Sequence, residues 1–158
     1  MMMLSERRPI LLTNARIIDP SRDLDMAGDL LIVDGVIRDT KRGIGAAGVP
    51  EGTEIVDCKG KVVAPGLIDM RAFVGEPGAE YRETFASASQ AAAAGGVTTI
   101  VCQPDTNPAI DEPAVVDFVL RPARDNAIVH VHPMAALTKG LRGEEMAEIG
   151  RASCRERV

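Results

Sequence analysis

The sequence predicts an α/β protein: the first part of a (β/α)8 TIM-type barrel, preceded by a small β-sandwich domain. Short strand-like runs separated by turns fill the chain before Pro65, and strands alternate with helices after it. Aromatic residues make up only 3% of the chain, so its 46% apolar content comes mainly from Val, Ile, Leu and Ala, which suits buried parallel strands.

Residues 1–64 are predicted to form the N-terminal part of the β-sandwich. The Asp34-Gly35 pair, between two apolar runs, is typical of a two-residue hairpin. The predicted strands are Ile10–Leu12, Arg16–Ile18, Leu30–Val33, Val36–Ile37, Glu54–Asp57 and Lys61–Val63.

Residues 65–148 are predicted to form three βα units, because continuous apolar strands that alternate with helices indicate parallel β-structure. The second helix should begin at Asp111 as N-cap, with Pro113 in its first turn, and should end or fray at Pro122. The predicted elements are strands Leu67–Met70, Val97–Gln103 and Ala127–His132, helices Glu83–Ala94 and Asp111–Leu120, and a helix beginning at Gly143–Glu148. A complete barrel needs about 250 residues, so the barrel is predicted to be incomplete.

Residues 149–158 fit no element of this pattern. Their sequence is similar to one reading frame of a common sequencing-adapter oligonucleotide, and we interpret them as a non-native tail; the alternative is a native polar helical tail. Cys154 would then have no biological role.

Composition argues against several classes of protein. The net charge of −5 disfavours a nucleic-acid-binding surface. No apolar run approaches the roughly 20 residues of a membrane span, and the first residues lack the apolar core of a signal peptide, which predicts a cytoplasmic protein. The three cysteines have no CxxC spacing and are interpreted as reduced thiols.

The stretch from Val63 to Gly78 is the most informative about function. A short buried strand there ends in Asp69-Met70-Arg71. Residues two apart on a strand share a face, so a His-x-His pair at the end of such a strand would aim two imidazoles at one metal ion. This chain has other residues at the two positions, 71 and 73. Arg71 offers only donors and a permanent positive charge, and Phe73 offers no lone pair.

This stretch resembles the motif of dihydroorotases and their relatives in the amidohydrolase superfamily, Asp-x-His-x-His followed by x-Arg-Glu-Pro-Gly. The similarity continues at Thr98-Thr99 and at Pro104–Pro108, where relatives carry Gly-Gly-x-Thr-Thr and Met-Pro-Asn-Thr-x-Pro. The resemblance implies a metal-dependent hydrolase architecture, with a β-sandwich built from both chain ends and zinc as the family metal. The chain is then the N-terminal fragment of a dihydroorotase-like protein.

Four family positions are degenerate. Arg71 and Phe73 replace the metal histidines, Gly75 replaces the arginine that binds the substrate carboxylate, and Asp105 replaces a substrate-binding asparagine. Asp105 would also repel an anionic substrate. The resemblance therefore implies no catalytic, substrate-binding or metal-binding residue in this part of the chain, while the remaining family ligands lie beyond residue 148.

Three other groups are candidates for a site. His130 and His132 share a strand face, as a metal-binding pair would, but a packed or hydrogen-bonded pair is the preferred interpretation because the family has no ligands there. Glu76, Glu80 and Glu83 are better explained as helix-capping residues than as acid–base groups. A salt bridge between Asp69 and Arg71 is a hypothesis for what fills the metal position.

Two functions remain open. The first is a pseudoenzyme of pyrimidine biosynthesis that acts as a scaffold for aspartate transcarbamoylase, with homo-oligomers also possible. The second is an active cyclic-amide hydrolase, of dihydroorotase, allantoinase or hydantoinase type, with a rearranged metal site. The missing histidines make the second weaker, because catalysis in such sites depends on a metal-activated water.

Overall fold

The structure is a computed structural model that describes residues 8–148. The chain divides into two compact units, Met1–Pro65 and Gly66–Val158. The predicted non-native tail, residues 149–158, lies outside the described residues.

The first unit is built around one five-stranded sheet. Its strands follow the order β3-β2-β1-β4, and β5 pairs with β1 beside β4. Its elements are β1 (Ile10–Asp19), a 3-10 turn (Pro20–Arg22), β2 (Leu24–Val33), β3 (Val36–Lys41), α1 (Ile44–Ala47), β4 (Glu54–Asp57) and β5 (Val62–Val63). All strands described in this unit belong to that one sheet, so the predicted sandwich is not confirmed.

The hairpin predicted at Asp34-Gly35 is confirmed. Val33 pairs with Val36 in the antiparallel register of β2 and β3. Asp34 and Gly35 both have positive φ, at 54° and 76°. Two consecutive residues with positive φ are what a type I′ turn requires, and its twist matches that of the strands it joins.

The first two predicted strands form a single strand, β1, with a register shift between Leu12 and Ala15. Asn14 sits in this irregularity with φ at 58°, a conformation that asparagine tolerates better than most residues. Its backbone N–H donates to Asp29, and its side-chain amide donates to Asp57, at 3.1 and 3.0 Å. The residues between Leu12 and Ala15, which suggested a break between two strands, therefore form a β-bulge within one strand.

The core of the first unit lies on one face of the sheet and contains Ala15, Ile17, Leu30 and Cys58. Asp29 is the buried charged residue of this unit. Its carboxylate accepts the N–H of Asn14 and that of Ile44, so the buried oxygens have partners.

The second unit has the predicted alternation of strand and helix. Its elements are β6 (Leu67–Ala72), α2 (Phe85–Ala94), β7 (Val97–Cys102), α3 (Pro113–Asn126), β8 (His130–Pro133) and a 3-10 turn (Lys139–Leu141). The strands are all parallel, in the order β6-β7-β8. The prediction of parallel β-structure joined by helices is confirmed.

The core of this unit lies between one face of the sheet and helices α2 and α3. It consists of Val74, Phe85, Ile100, Cys102, Ile110, Val119 and Ala123. The other face is open in the described residues, and His130 and His132, which lie on it, are both exposed.

Helix α2 begins at Phe85, two residues later than predicted, because Thr84 is its N-cap. The Thr84 hydroxyl accepts the N–H of Ser87, and the Ser87 hydroxyl accepts the N–H of Thr84. This reciprocal capping box satisfies two amide groups that the helix itself leaves free.

Helix α3 differs from prediction at both ends. Its N-cap is Glu112 rather than Asp111, whose carboxylate instead accepts the N–H of Gly140 at 2.6 Å. Pro122 lies inside the helix, which continues to Asn126. The expectation that Pro122 ends the helix was wrong, and burial of Val119 and Ala123 on either side gives the reason, since tertiary packing outweighs the lost backbone hydrogen bond.

The helix expected at Gly143–Glu148 is not formed within the residues described up to 148. Thr138 instead makes an antiparallel bridge with Met146. Lys139 donates its N–H to the carbonyl of Glu145 and pairs its ammonium with the Glu145 carboxylate, at 2.8 and 2.5 Å. The third strand begins at His130 rather than Ala127.

In the described range, 8–148, no helix combines the length and the apolarity needed to cross a bilayer.

Candidate functional site

Arg71 and Phe73 lie at the carboxyl end of β6, on the side away from the core. Ala72 packs against the core cluster and Val74 is 1% exposed, whereas Arg71 is exposed and Phe73 is 37% exposed. The alternation is that of an extended chain. Both degenerate positions therefore project from the open face, where paired metal ligands would have to stand.

Asp69 does not pair with the guanidinium of Arg71. Its carboxylate accepts the backbone N–H of Arg71 at 2.9 Å, and no ion pair between the two side chains occurs in the described structure. The guanidinium instead reaches across to β7, where its Nε lies 3.5 Å from Oε1 of Gln103. The hypothesised salt bridge is thus not formed. Asp69 accepts a bond from the Arg71 backbone, and the Arg71 side chain contacts Gln103 instead.

Phe73 is covered by a cation. The Cζ atom of Arg82, in the loop between β6 and α2, lies 4.7 Å from the centroid of the Phe73 ring. This is within the range of a cation–π interaction. Positions 71 and 73 consequently carry one arginine and one aromatic ring capped by a second arginine.

Gly75 is buried where the chain turns out of β6. A Cβ at this position would lie 2.4 Å from the carbonyl oxygen of Ala79 and 3.0 Å from that of Glu83. The N–H of Ala79 donates to the Gly75 carbonyl at 2.5 Å, which closes the loop tightly. No side chain fits at position 75 unless this loop opens.

The three glutamates after β6 serve the loop and the helix. Glu76 accepts the N–H of Phe85, the first residue of α2, at 3.0 Å, and Glu83 accepts the hydroxyl of Ser87. Glu80 accepts the N–H of Gly78 at 2.9 Å, and this bond holds the pKa of its carboxyl below the usual value. Glu76 and Glu83 thus bond to the first turn of α2, as expected of capping residues, whereas Glu80 bonds within the loop and does not cap the helix.

Asp105 stands in the loop after β7 and is exposed. This loop touches the β6–α2 loop, because Asn107 donates its N–H to the Pro77 carbonyl at 3.0 Å. Within the described residues the Asp105 carboxylate has no ion-pair partner. It therefore adds a solvated negative charge to the edge of the sheet that carries Arg71.

His130 and His132 project from the open face of β8, opposite Val131, which packs against the core. Thr99 and Val101 are their register partners on β7, and neither is a metal ligand of the expected kind. The neighbouring Cys102 points into the core, and burial raises the pKa of its thiol to about 11. The pair thus has no third ligand of the usual type from β7.

Residues 60–156 match the family model described as dihydro-orotase-like. The chain belongs to the dihydroorotase-like family. It is 43% identical over 141 residues to a dihydroorotase of Citrifermentans bemidjiense and 45% identical to one of Pelobacter propionicus, covering 89% of this chain in each case. It spans 32% of the length of each of these relatives, about a third.

Solved structures share the fold of this dihydroorotase-like chain. The L-hydantoinase of Arthrobacter aurescens superposes with a TM-score of 0.72 at 23% identity, and the D-hydantoinase of Thermus sp. with 0.66 at 24%. Each match covers 82% of this chain and 28% of the other. The mixed α/β structure fits part of an amidohydrolase barrel.

The side chains at the dihydroorotase metal position do not fit zinc. Arg71 is a permanent cation, and Phe73 has no lone pair. Within residues 8–148, no group of three or more His, Cys, Asp and Glu side chains is arranged to hold a metal ion. What these two side chains can offer is attraction of an anion by Arg71 and stacking on the Phe73 ring.

A cavity of about 580 Å³ lies at the opposite end of the sheet. It is lined by the first residues of β7 and β8 and by the end of α3, including Thr98, Arg124 and His130. Arg71 and Phe73 do not line it, so it is separate from the family site.

The sequence had not indicated Arg82 and Gln103 as members of the site. Gln103 follows β7 directly, and parallel strands bring their carboxyl ends to one edge, so its approach to Arg71 could have been predicted. No sequence pattern places Arg82 over Phe73, because that contact depends on the path of the β6–α2 loop.

Proposed function

We propose that this chain is part of a dihydroorotase-like protein of pyrimidine biosynthesis that does not catalyse hydrolysis at this site and serves as a structural partner of aspartate transcarbamoylase. The observation that carries the proposal is the placement of Arg71 and Phe73 at the end of β6, on the open face. The protein acts in the cytoplasm without nucleic acid or membrane.

The charge at this position supports the loss of metal chemistry. A divalent ion near Arg71 would be repelled by a guanidinium that does not lose its proton at neutral pH. Hydrolysis of a cyclic amide in such sites needs a metal-bound water. Without the first two ligands, no nucleophile is generated at the end of β6.

The loss of substrate recognition supports the same conclusion. Gly75 supplies no guanidinium, and the closed loop has no room for one. Asp105 places a negative charge where relatives offer an amide. A carboxylate substrate would therefore lose one attraction and meet one repulsion at the family positions.

The scaffold role is supported by what the chain retains. The parallel strands, the capped helix α2 and the core between them are intact, although the reactive positions have changed. A protein that retains its fold after losing its reactive residues can still present a surface that binds a partner. The partner is proposed from the family resemblance, because aspartate transcarbamoylase catalyses the preceding step.

The decisive experiment uses the full-length protein that contains this chain. After purification with zinc, metal analysis should find less than one zinc per ten chains, and dihydroorotate hydrolysis should stay at the no-enzyme rate. Sedimentation with aspartate transcarbamoylase should give a faster species than either protein alone. Stoichiometric zinc with turnover would overturn the inactive assignment, and the absence of a faster species would overturn the scaffold.

A second function, an active cyclic-amide hydrolase with a rearranged metal site, is favoured by one observation. The relatives at 43–45% identity are named dihydroorotase. This hypothesis predicts zinc-dependent turnover of dihydroorotate, hydantoin or allantoin. A chelator that abolishes such turnover, with zinc restoring it, would establish the enzyme.

A further inference from the structure

We infer that Arg71 and Arg82 form a binding site for a small oxyanion, a carboxylate or a phosphoryl group, at the carboxyl end of β6 and β7. The inference deepens the proposed function and rests on the absence of a metal at Arg71. The positions that hold a cation in relatives would then hold an anion in this chain.

The first argument is the place of Arg71. In α/β folds, ligands bind outside the carboxyl ends of parallel strands, and Arg71 stands at such an end. Its guanidinium carries five N–H donors, and the contact from Nε to Gln103 is long at 3.5 Å. The described residues offer it no carboxylate within ion-pair distance, so its terminal donors face solvent.

The second argument is the fixed position of Arg82. Its guanidinium lies over the Phe73 ring, and Phe73 is two residues from Arg71 along the chain. Two residues of extended chain span only about 6.6 Å, which brings both arginines to the same edge of the sheet. Stacking on an aromatic ring leaves the edge of a guanidinium free to bind an oxyanion.

The third argument is the state of the nearby carboxylates. Asp69 accepts the N–H of Arg71, and Glu76 accepts the N–H of Phe85. Glu80 and Glu83 are bound to Gly78 and Ser87. The loops around the site thus hold these negative charges in local bonds, and within the described residues neither guanidinium pairs with a carboxylate.

Asp105 opposes the site. It is exposed on the adjacent loop and, within the described residues, its carboxylate pairs with no cation. It lowers the affinity for an anion without occupying either arginine. The site is consequently weak, and removing this charge should strengthen it.

The chemistry of the ligand follows from the guanidinium groups. A planar fork of donors matches two oxygens of a carboxylate or a phosphate. Both sources share that pair of oxygens, so two probes separate them: inorganic phosphate and succinate, each titrated at an ionic strength held constant with sodium chloride.

The experiment is isothermal titration of the full-length protein that contains this chain, in the presence of a chelator. One probe should bind saturably. Arg71→Gln and Arg82→Gln should each weaken binding about tenfold, as expected for loss of a charge-assisted bond, and Asp105→Asn should strengthen it. Arg124→Gln, at the cavity on the opposite end of the sheet, is the matched control and should change nothing.

Each alternative result has a definite meaning. Absence of saturable binding by both probes overturns the site, as does an equal loss in the Arg71 and Arg124 variants, which would indicate general charge screening. Unchanged thermal melting shows that the Arg71 variant is folded. If zinc analysis finds stoichiometric metal, the proposed function fails; if the protein is metal-free and does not bind either anion, only this inference fails.

Discussion

The guanidinium of Arg82 lies 4.7 Å from the centre of the Phe73 ring, at a position where the family resemblance implies a metal-binding histidine. The contact joins the end of β6 to a loop that precedes α2. Position 73 therefore carries an aromatic ring that stacks against an arginine.

Arg71→His alone should not restore zinc binding. The new imidazole would provide one ligand, while Phe73 beneath Arg82 would still provide none. Metal analysis after dialysis against zinc should find no more metal in this variant than in the unaltered protein. Stoichiometric zinc in the single variant would show that the site is not remodelled.

Gly75→Ala should destabilise the protein by about 1–3 kcal/mol, because its Cβ would overlap the Ala79 carbonyl at 2.4 Å. The measurement is the shift in the midpoint of urea unfolding. Gly95→Ala is the control: its φ is −85°, and its added Cβ would meet only ordinary contacts at 3.5 Å or more. Equal effects at the two positions would contradict the closed loop.

Acid should weaken the first unit. Asp25, Asp39 and Asp57 have pKa values below the usual one, mainly because of bonds from Arg16, Lys41 and Asn14 respectively. A carboxyl with a lowered folded pKa stabilises the fold above its unfolded pKa of about 3.9, and this stability is lost as the pH falls through the folded value.

Unfolding midpoints measured from pH 6 to pH 2 test this dependence. The midpoint should fall most steeply below about pH 4. Asp57→Asn should reduce the slope, because its carboxylate no longer titrates. A slope identical to that of the unaltered protein would rule out a contribution from Asp57.

Cys102 should resist alkylation in the folded protein. Burial raises the pKa of its thiol to about 11 from the ordinary value of 9.0, which lowers the thiolate fraction about a hundredfold near pH 8. Peptide mapping after iodoacetamide treatment should find Cys102 unmodified in the native state and modified in urea. Rapid native labelling at this residue would contradict its burial.

Much of the fold was predictable because local chemistry determines it. The Asp34-Gly35 turn needs two positive φ angles, and the apolar strands of the second unit need helices to cover them. Contacts distant in the sequence decided the rest. Pro122 stays inside α3 because Val119 and Ala123 are buried. Asp111 does not cap α3, because its carboxylate accepts the N–H of Gly140 instead.

The candidate site was likewise predictable from the sequence only in part. Its degenerate positions, Arg71, Phe73, Gly75 and Asp105, were predicted from the sequence because they interrupt a recognisable motif, and they stay predictions. The contacts of two of these residues were not predicted, because Arg82 approaches Phe73 and Gln103 approaches Arg71 only once the chain is folded. A motif indicates which group has been lost, and only the structure identifies what has replaced it.

The 158-residue chain expressed alone should self-associate. β6 and β8 are the outer strands of the second unit in the described residues, and each leaves one edge without a hydrogen-bonding strand. Leu67, Ile68 and Met70 on β6 are also 61–67% exposed, so the open edge carries apolar side chains. Such edges pair with other chains.

Size-exclusion chromatography with light scattering should therefore detect oligomers whose mass rises with concentration. Ile68→Lys should reduce the association and Lys59→Gln, in the first unit, should not; a monodisperse chain that melts cooperatively would refute the prediction.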